Sequence, residues 1–170
     1  MSCNQTLSGL VKDCSPSMGG ILEVLLVNRE DVTSVQAETG KISGITMEAS
    51  AKFKRYTFAR NTGSMTSTYT IDQASGVKYV TTDLVLQFNR METTKRVEIT
   101  ALSVNDLVAI VKDANGVYWY LGYDEPVNAS AGDGQTGTAR GDANTYSITL
   151  QDISKEMPME VDASIIEGIL

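Results

Sequence analysis

The stretch Leu107-Val-Ala-Ile-Val-Lys-Asp-Ala-Asn-Gly-Val-Tyr-Trp-Tyr-Leu121 carries the strongest fold signal in the chain. Two apolar runs, Leu107 to Val111 and Val117 to Leu121, flank Asn115-Gly116. Asn-Gly between two such runs predicts a tight β-hairpin, because both turn residues accept positive φ. Leu107–Val111 is apolar on both faces, which predicts a strand buried on both sides. Ile21 to Val27 has the same character, interrupted only by Glu23, and predicts a second central strand.

Outward from this pair, the pattern stays strand-like. Ile45, Met47, Ala49, Ala51 and Phe53 alternate, then the phase shifts to Tyr56 and Phe58. A one-residue slip would turn the apolar face to solvent, so a β-bulge is expected at Lys54-Arg55. Tyr69 and Ile71 lead into a turn at Gln73 to Gly76, followed by a strand from Val77 to about Asn89. A second phase change falls between Tyr79 and Val80. Tyr146, Ile148 and Leu150 alternate with polar residues, and Pro158 opens a last short strand. One helix is expected over 94–103, with Val97, Ala101 and Val104 facing inward and Lys95, Arg96 and Glu98 outward.

The order of elements has no βαβ rhythm. It predicts a mainly β domain, an antiparallel β-sandwich or barrel with one flanking α-helix and long projecting β-hairpins. Residues 1–20 read as an N-terminal arm, 21–162 as one domain and 163–170 as a C-terminal tail. No strand is assigned to the polar stretch Asn28 to Gly40, and the Gly-rich 128–144 segment reads as a loop.

The chain has 170 residues, and a chain of that length buries roughly 70% of its unfolded surface without help from disulfides or metal. Twenty-one carboxylates against fourteen basic residues give a net charge of −7, which opposes tight nucleic-acid binding. No apolar run approaches the ~20 residues of a membrane span, and no signal peptide is visible. Cys3 and Cys14 fit no zinc spacing and read as reduced thiols or a small disulfide loop.

No histidine occurs, so Ser-His-Asp, Cys-His and imidazole-metal sites are excluded. No phosphate-binding glycine motif is present. The expectation is a protein that is not an enzyme and needs no cofactor or metal. Arg140-Gly141-Asp142 is read as turn chemistry rather than an adhesion signal. Asp113-x-Asn115-Gly116 has its glycine at the wrong offset for a calcium loop. Trp119 shares a face with Val117 and Leu121 and is assigned to the core. Tyr118, Tyr120 and Tyr123 are the candidate platform of the alternative reading, a binding module for a glycan or protein partner.

One length matters. A domain of this size is about 40 Å across, whereas Val77 to Asn89 alone spans roughly 43 Å. Strands that outreach their domain bend or project, and a projecting edge calls for a covering partner. A hairpin of Ile45–Arg60 with Thr66–Asn89 is the expected subunit contact, with Tyr56, Phe58, Tyr69, Ile71 and Tyr79 as candidate interface residues.

The run Val108 to Gly122, the Gly-rich segment ending Gly141-Asp142-Ala-Asn-Thr-Tyr146, the following Ser-Ile-Thr-Leu-Gln-Asp152, Pro158, and the early Cys14-x-Pro16-x-x-Gly19-Gly20-Ile21 resemble small virion proteins of tailed phages that infect Bacteroidetes, the crAss-like group. The similarity touches most of the chain as loose punctuation. It implies a tail-tube-like fold in a homo-oligomeric ring of the tail or neck. Such a ring contacts neighbouring tail or connector proteins and passes DNA without specific binding. The implied location is the virion, assembled in the bacterial host cytoplasm, with no membrane contact and no catalytic residues to carry over.

Overall fold

The computed structural model describes residues 5–170. Its centre is the pair that the sequence marks as buried on both faces. Strand β1 (Ile21–Asn28) lies antiparallel to β7 (Leu107–Asp113), with Leu25 opposite Ile110. Val24, Leu26, Ala109 and Val111 point into one core, and Leu25, Val27, Val108 and Ile110 into another. A strand flanked by two cores has no polar face, which is why both segments read as unbroken apolar runs.

Seven strands form the first sheet, in the order β2-β3-β11-β8-β7-β1-β4. The remaining members are β2 (Val32–Glu38), β3 (Lys41–Met47), β4 (Lys54–Thr57), β8 (Tyr118–Leu121) and β11 (Met159–Val161). The second sheet has four, β5-β6-β10-β9: β5 (Ser64–Asp72), β6 (Val77–Asn89), β9 (Asn128–Gln135) and β10 (Thr145–Ser154). Pairing is antiparallel except where β11 runs parallel to β3. The architecture is a two-sheet sandwich without barrel closure. Leu84 and Leu86 of β6 and Ile148 and Leu150 of β10 fill the core between the sheets.

Helix α1 (Thr93–Val104) caps this core through Leu102 and Ile99. Its span agrees with expectation, but its face does not. Val97 and Val104 are 55% and 76% exposed, so the inward stripe is set by the Ile99–Leu102 pair. With Thr93, Thr94, Thr100 and Ser103 spread around the helix, its apolar pattern is too weak to fix the rotation.

Four further expectations are corrected. Residues 45–60 are not one bulged strand: β3 ends at Met47, the chain turns through Ser50 (φ 73), and β4 joins β1 on the far edge of the sheet. The phase shift near Lys54 therefore separates two strands, and no hairpin of Ile45–Arg60 with Thr66–Asn89 exists. Within Asn28–Gly40 lies β2, joined to β3 by the two-residue turn Thr39-Gly40, with φ values of 53 and 78. The Gly-rich 128–144 segment contains the edge strand β9. Its small residues are required there, since a Cβ on Gly134 would sit 2.9 Å from the Tyr146 ring.

The fourth concerns the C-terminus. Residues 163–170 fold as a 3-10 turn (Ala163–Ile165) and the short helix α2 (Ile166–Ile169) against the second core. Asp162 caps the turn by accepting from the Ser164 N–H. Phe53 donates its backbone N–H to the Ile169 carbonyl at 2.9 Å. Ile166 and Ile169 are buried in the same core as Tyr120, Phe53 and Ile42, so the segment is part of the core rather than a tail.

Candidate subunit interface

Strand β5 pairs with β6 without a break from Ser64↔Val85 to Asp72↔Val77. The other neighbour of β6, strand β10, ends where Ser154 meets Val80. The last three β5–β6 pairs, Thr70↔Tyr79, Ile71↔Lys78 and Asp72↔Val77, thus form a two-stranded ribbon that outruns the sandwich. Asp72 closes its tip by accepting from the Ala74 N–H and the Ser75 hydroxyl, which lowers its pKa. The turn at 73–76, with Gly76 at φ 72, is where the sequence places it.

The phase change between Tyr79 and Val80 is not a bulge, because the register is continuous. Val80, Thr82, Leu84 and Leu86 face the core, whereas Val77 and Tyr79 lie on the opposite face. Apolar residues occupy both faces only where the ribbon has left the sandwich. On the core-side face, Tyr69 and Ile71 are 40% and 60% exposed; on the other, Val77 is 45% exposed. A lone two-stranded ribbon is marginal in water, and this one carries substantially exposed apolar side chains on both faces.

The five candidate residues do not form one surface. Tyr69, Ile71 and Tyr79 share the ribbon. Tyr56 and Phe58 instead pack inside the subunit against the inter-sheet core. The Tyr56 ring lies 6.4 Å from that of Phe88, and its hydroxyl donates to the Glu98 carboxylate of α1. Burial, with help from that carboxylate, pushes the Tyr56 pKa well above the ordinary phenol value. The pair ties β4 to the helix, a role that spacing alone does not reveal.

The outer face of the second sheet has its own chemistry. Thr66, Thr68, Thr81, Asp83, Gln87, Asp133, Ser147, Thr149 and Gln151 alternate with the core residues across its four strands, with Val85 and the exposed Ile153 among them. Gln151 donates to Asp83 at 2.9 Å and Ser147 to Asp133 at 2.6 Å, so the face is cross-linked by its own hydrogen bonds. The single basic residue in these strands, Lys78, is on the other side, its Nζ 5.3 Å from the Tyr69 ring centre.

Around the opening hairpin, the turn is one residue longer than predicted. Gly116 N–H bonds to Asp113 O at 3.1 Å, and Asp113 N–H to Val117 O at 2.9 Å, enclosing Ala114 to Gly116. Only Gly116 has positive φ, at 86°. This is a three-residue loop with its glycine in the left-handed position. Asp113 organises it: Oδ1 accepts from the Asn115 and Val117 N–H groups, and Oδ2 from Trp119 Nε1 at 2.9 Å. Asn115 is left free to hold the N-terminal arm. Its Oδ1 accepts from the Met18 N–H at 2.8 Å and its Nδ2 donates to the Ser17 hydroxyl at 3.3 Å.

The three tyrosines of the binding-module reading are dispersed. Tyr120 is buried in the second core, with its hydroxyl unpartnered among the described residues and its pKa pushed up to about 12 by burial. Tyr118 packs against the same core under Lys112, and Tyr123 alone is well exposed. Tyr120 and Tyr123 border a cleft of about 380 Å³ shared with Asp124 and Asp152. Asp152 is buried, accepts from the Gly122 N–H at 3.1 Å, and has its pKa raised by that burial.

A carboxylate whose folded pKa lies above its unfolded value lends stability below the unfolded value and loses it as pH rises through the folded one. Asp152→Asn keeps an oxygen for Gly122 and removes that loss. The variant should melt higher than the parent at pH 7, and the gap should shrink as pH falls into the ordinary carboxylate range. Thermal melts across that range check the sign.

Arg140-Gly141-Asp142 sits beside Gly137, at φ 70. The Asp142 carboxylate accepts from the Thr138 and Ala139 N–H groups, which lowers its pKa and commits it to the turn. Among the described residues, no three His, Cys, Asp or Glu side chains converge as a metal site, and no helix is long and apolar enough to cross a membrane. Cys14 is exposed, and its pairing with Cys3 lies outside the described residues.

Comparison with known protein families, curated proteins and solved structures found no match.

Proposed function

We propose that this chain is a structural subunit that closes into a homo-oligomeric ring, a segment of the tail or neck of a phage virion through which DNA passes. The observation that carries the reading is the β5–β6 ribbon. It extends beyond its own sandwich with Tyr69, Ile71 and Val77 uncovered on two faces. A neighbouring copy is the economical cover, because a head-to-tail contact that closes by rotation buries every ribbon in the ring once.

The outer face of the second sheet then has a natural place, turned to the lumen. Hydroxyls, amides and the carboxylates of Asp83 and Asp133 offer DNA no cation to grip. Affinity for a phosphate backbone comes chiefly from Lys and Arg, so a wall without them lets the polymer slide. The overall charge of −7 acts in the same direction.

The reading is tested on the purified full chain by solution mass and by negative-stain microscopy. Closed rings with an open lumen are expected. A chain that stays monomeric at every concentration would overturn it.

A further inference from the structure

The cleft of about 380 Å³ bordered by Tyr120 and Tyr123 lies between the end of β8 and the connection from β10 to β11. Pockets for small ligands begin at roughly this size, about 300 Å³. Its chemistry starts with a break in a pattern. Strand β10 turns Ile148, Leu150, Asp152 and Ser154 inward in succession. The first two fill the core between the sheets, and the third is a carboxylate only 2% exposed. A buried carboxylate calls for partners of opposite charge. Asp152 Oδ1 accepts from the Gly122 N–H at 3.1 Å, but among the described residues no Lys or Arg pairs with it. Burial disfavours its charged form, and the Asp124 and Glu125 carboxylates add to that effect.

Tyr120 points to a ligand independently. It forms part of the same wall and is 2% exposed, yet its hydroxyl has no hydrogen-bond partner among the described residues. Leaving such a group unpaired is costly. The hydroxyl lies in the field of Arg29 and of Asp152, so it is directed to the carboxylate end of the cleft.

A buried carboxylate beside an unpaired hydroxyl suits a donor that carries positive charge and several N–H groups. Tyr123, 42% exposed and edge-on to Tyr120 at 6.4 Å, offers its ring to a cation. Met157, Pro158 and Met159 supply apolar wall for an aliphatic stem. Asp124 and Glu156 make the rest of the lining acidic. Lys155 binds Asp124 through its backbone N–H at 2.8 Å, and its ammonium forms no ion pair among the described residues. A metal ion fits poorly, since no three ligating side chains converge among those residues and the apolar wall would go unused.

We propose that this cleft binds an organic cation, a primary ammonium or guanidinium on a short aliphatic stem, with Asp152 and Tyr120 holding the head and Met157 and Met159 the stem. The site is independent of the ring reading.

Agmatine and n-butylammonium are titrated into the full chain by calorimetry at fixed salt, with n-butanol and calcium as controls. Saturable binding of at least one cation is expected, and none of the controls. Asp152→Asn should weaken it at least about tenfold, the loss of one charge-assisted hydrogen bond. Asp133→Asn removes the same charge from the outer face of the second sheet and should leave binding unchanged. Tyr120→Phe should weaken binding about three- to tenfold. It should nevertheless melt no lower than the parent, because the hydroxyl it removes has no partner in the subunit. A blocked arginine that binds as tightly as agmatine identifies a basic side chain as the source of the cation, and one that fails beside agmatine identifies a free amine; both support the site. The proposal is overturned if neither cation binds, if butanol or calcium binds in their place, or if Asp133→Asn weakens binding as much as Asp152→Asn.

Discussion

Tyr69→Asp combined with Ile71→Asp should yield a folded monomer. Both side chains are already substantially exposed in the subunit, so the isolated fold loses little. Exposed substitutions typically change stability by no more than about 0.5 kcal/mol, and the Lys78–Tyr69 contact adds at most about 1 kcal/mol. Lys78 lies opposite Ile71, placed to pair with a new carboxylate. The melting temperature should therefore move by no more than about 8 °C. The assembled state is different. Each aspartate would have to enter a contact made for an aromatic or branched side chain, and an unpaired carboxylate stripped of water costs several kcal/mol. Two per interface, repeated around a ring, is enough to abolish assembly. Tyr69→Phe with Ile71→Val keeps the apolar surface and should keep the rings. Sedimentation of the two variants decides the matter: rings that survive the double aspartate change mean the ribbon is not the contact.

The fold was legible wherever burial constrained the sequence on both faces. β1 and β7 sit between two cores, and no polar residue is tolerated at their centres, so their runs announce themselves. β10 and β6 face one core each and alternate cleanly. What the sequence hid was held by the backbone rather than by side chains. β2 is exposed at most positions and β9 is built of Ala, Gly, Ser and Asp, so neither has an apolar period to read. Turn chemistry misled in a related way. Asn115-Gly116 has the residues of a two-residue type I′ turn, but Asp113 takes the Asn115 and Val117 N–H groups and stretches the loop to three. The two positive φ values belong to Thr39-Gly40, where no such signal shows. For the candidate interface, the length of Val77–Asn89 pointed to a projecting hairpin, and Tyr69, Ile71 and Tyr79 do lie on the ribbon that outruns the sandwich. Sequence alone could not separate them from Tyr56 and Phe58, because an aromatic out of phase looks the same whether a helix or another subunit covers it.

Deleting residues 163–170 should destabilise the subunit by about 3–6 kcal/mol, although the segment reads as a tail. Ile166 and Ile169 are 3% and 5% exposed, and burying such a side chain is worth about 1.5–3 kcal/mol. The loss does not end with them. The second core, which also holds Tyr120, Ile42 and Phe53, would be opened to water, and the Phe53 N–H and Lys52 ammonium would lose the Ile169 and Gly168 carbonyls. A domain of ordinary stability holds only about 5–15 kcal/mol, so the truncated chain would sit near its unfolding threshold. The same deletion applied to a free tail would cost nothing, which makes the experiment discriminating. Urea unfolding of the truncated chain, beside Ile169→Ala at an expected loss of about 2–4 kcal/mol, measures both. A truncated chain as stable as the parent would show that the second core closes without its C-terminal wall. The deletion also separates stability from assembly. Residues 163–170 lie against the second core, on the opposite face of the first sheet from the sandwich that carries the ribbon. Ile169→Ala should therefore lower the melting temperature while leaving intact whatever rings the folded fraction forms, the reverse of the result expected for the ribbon.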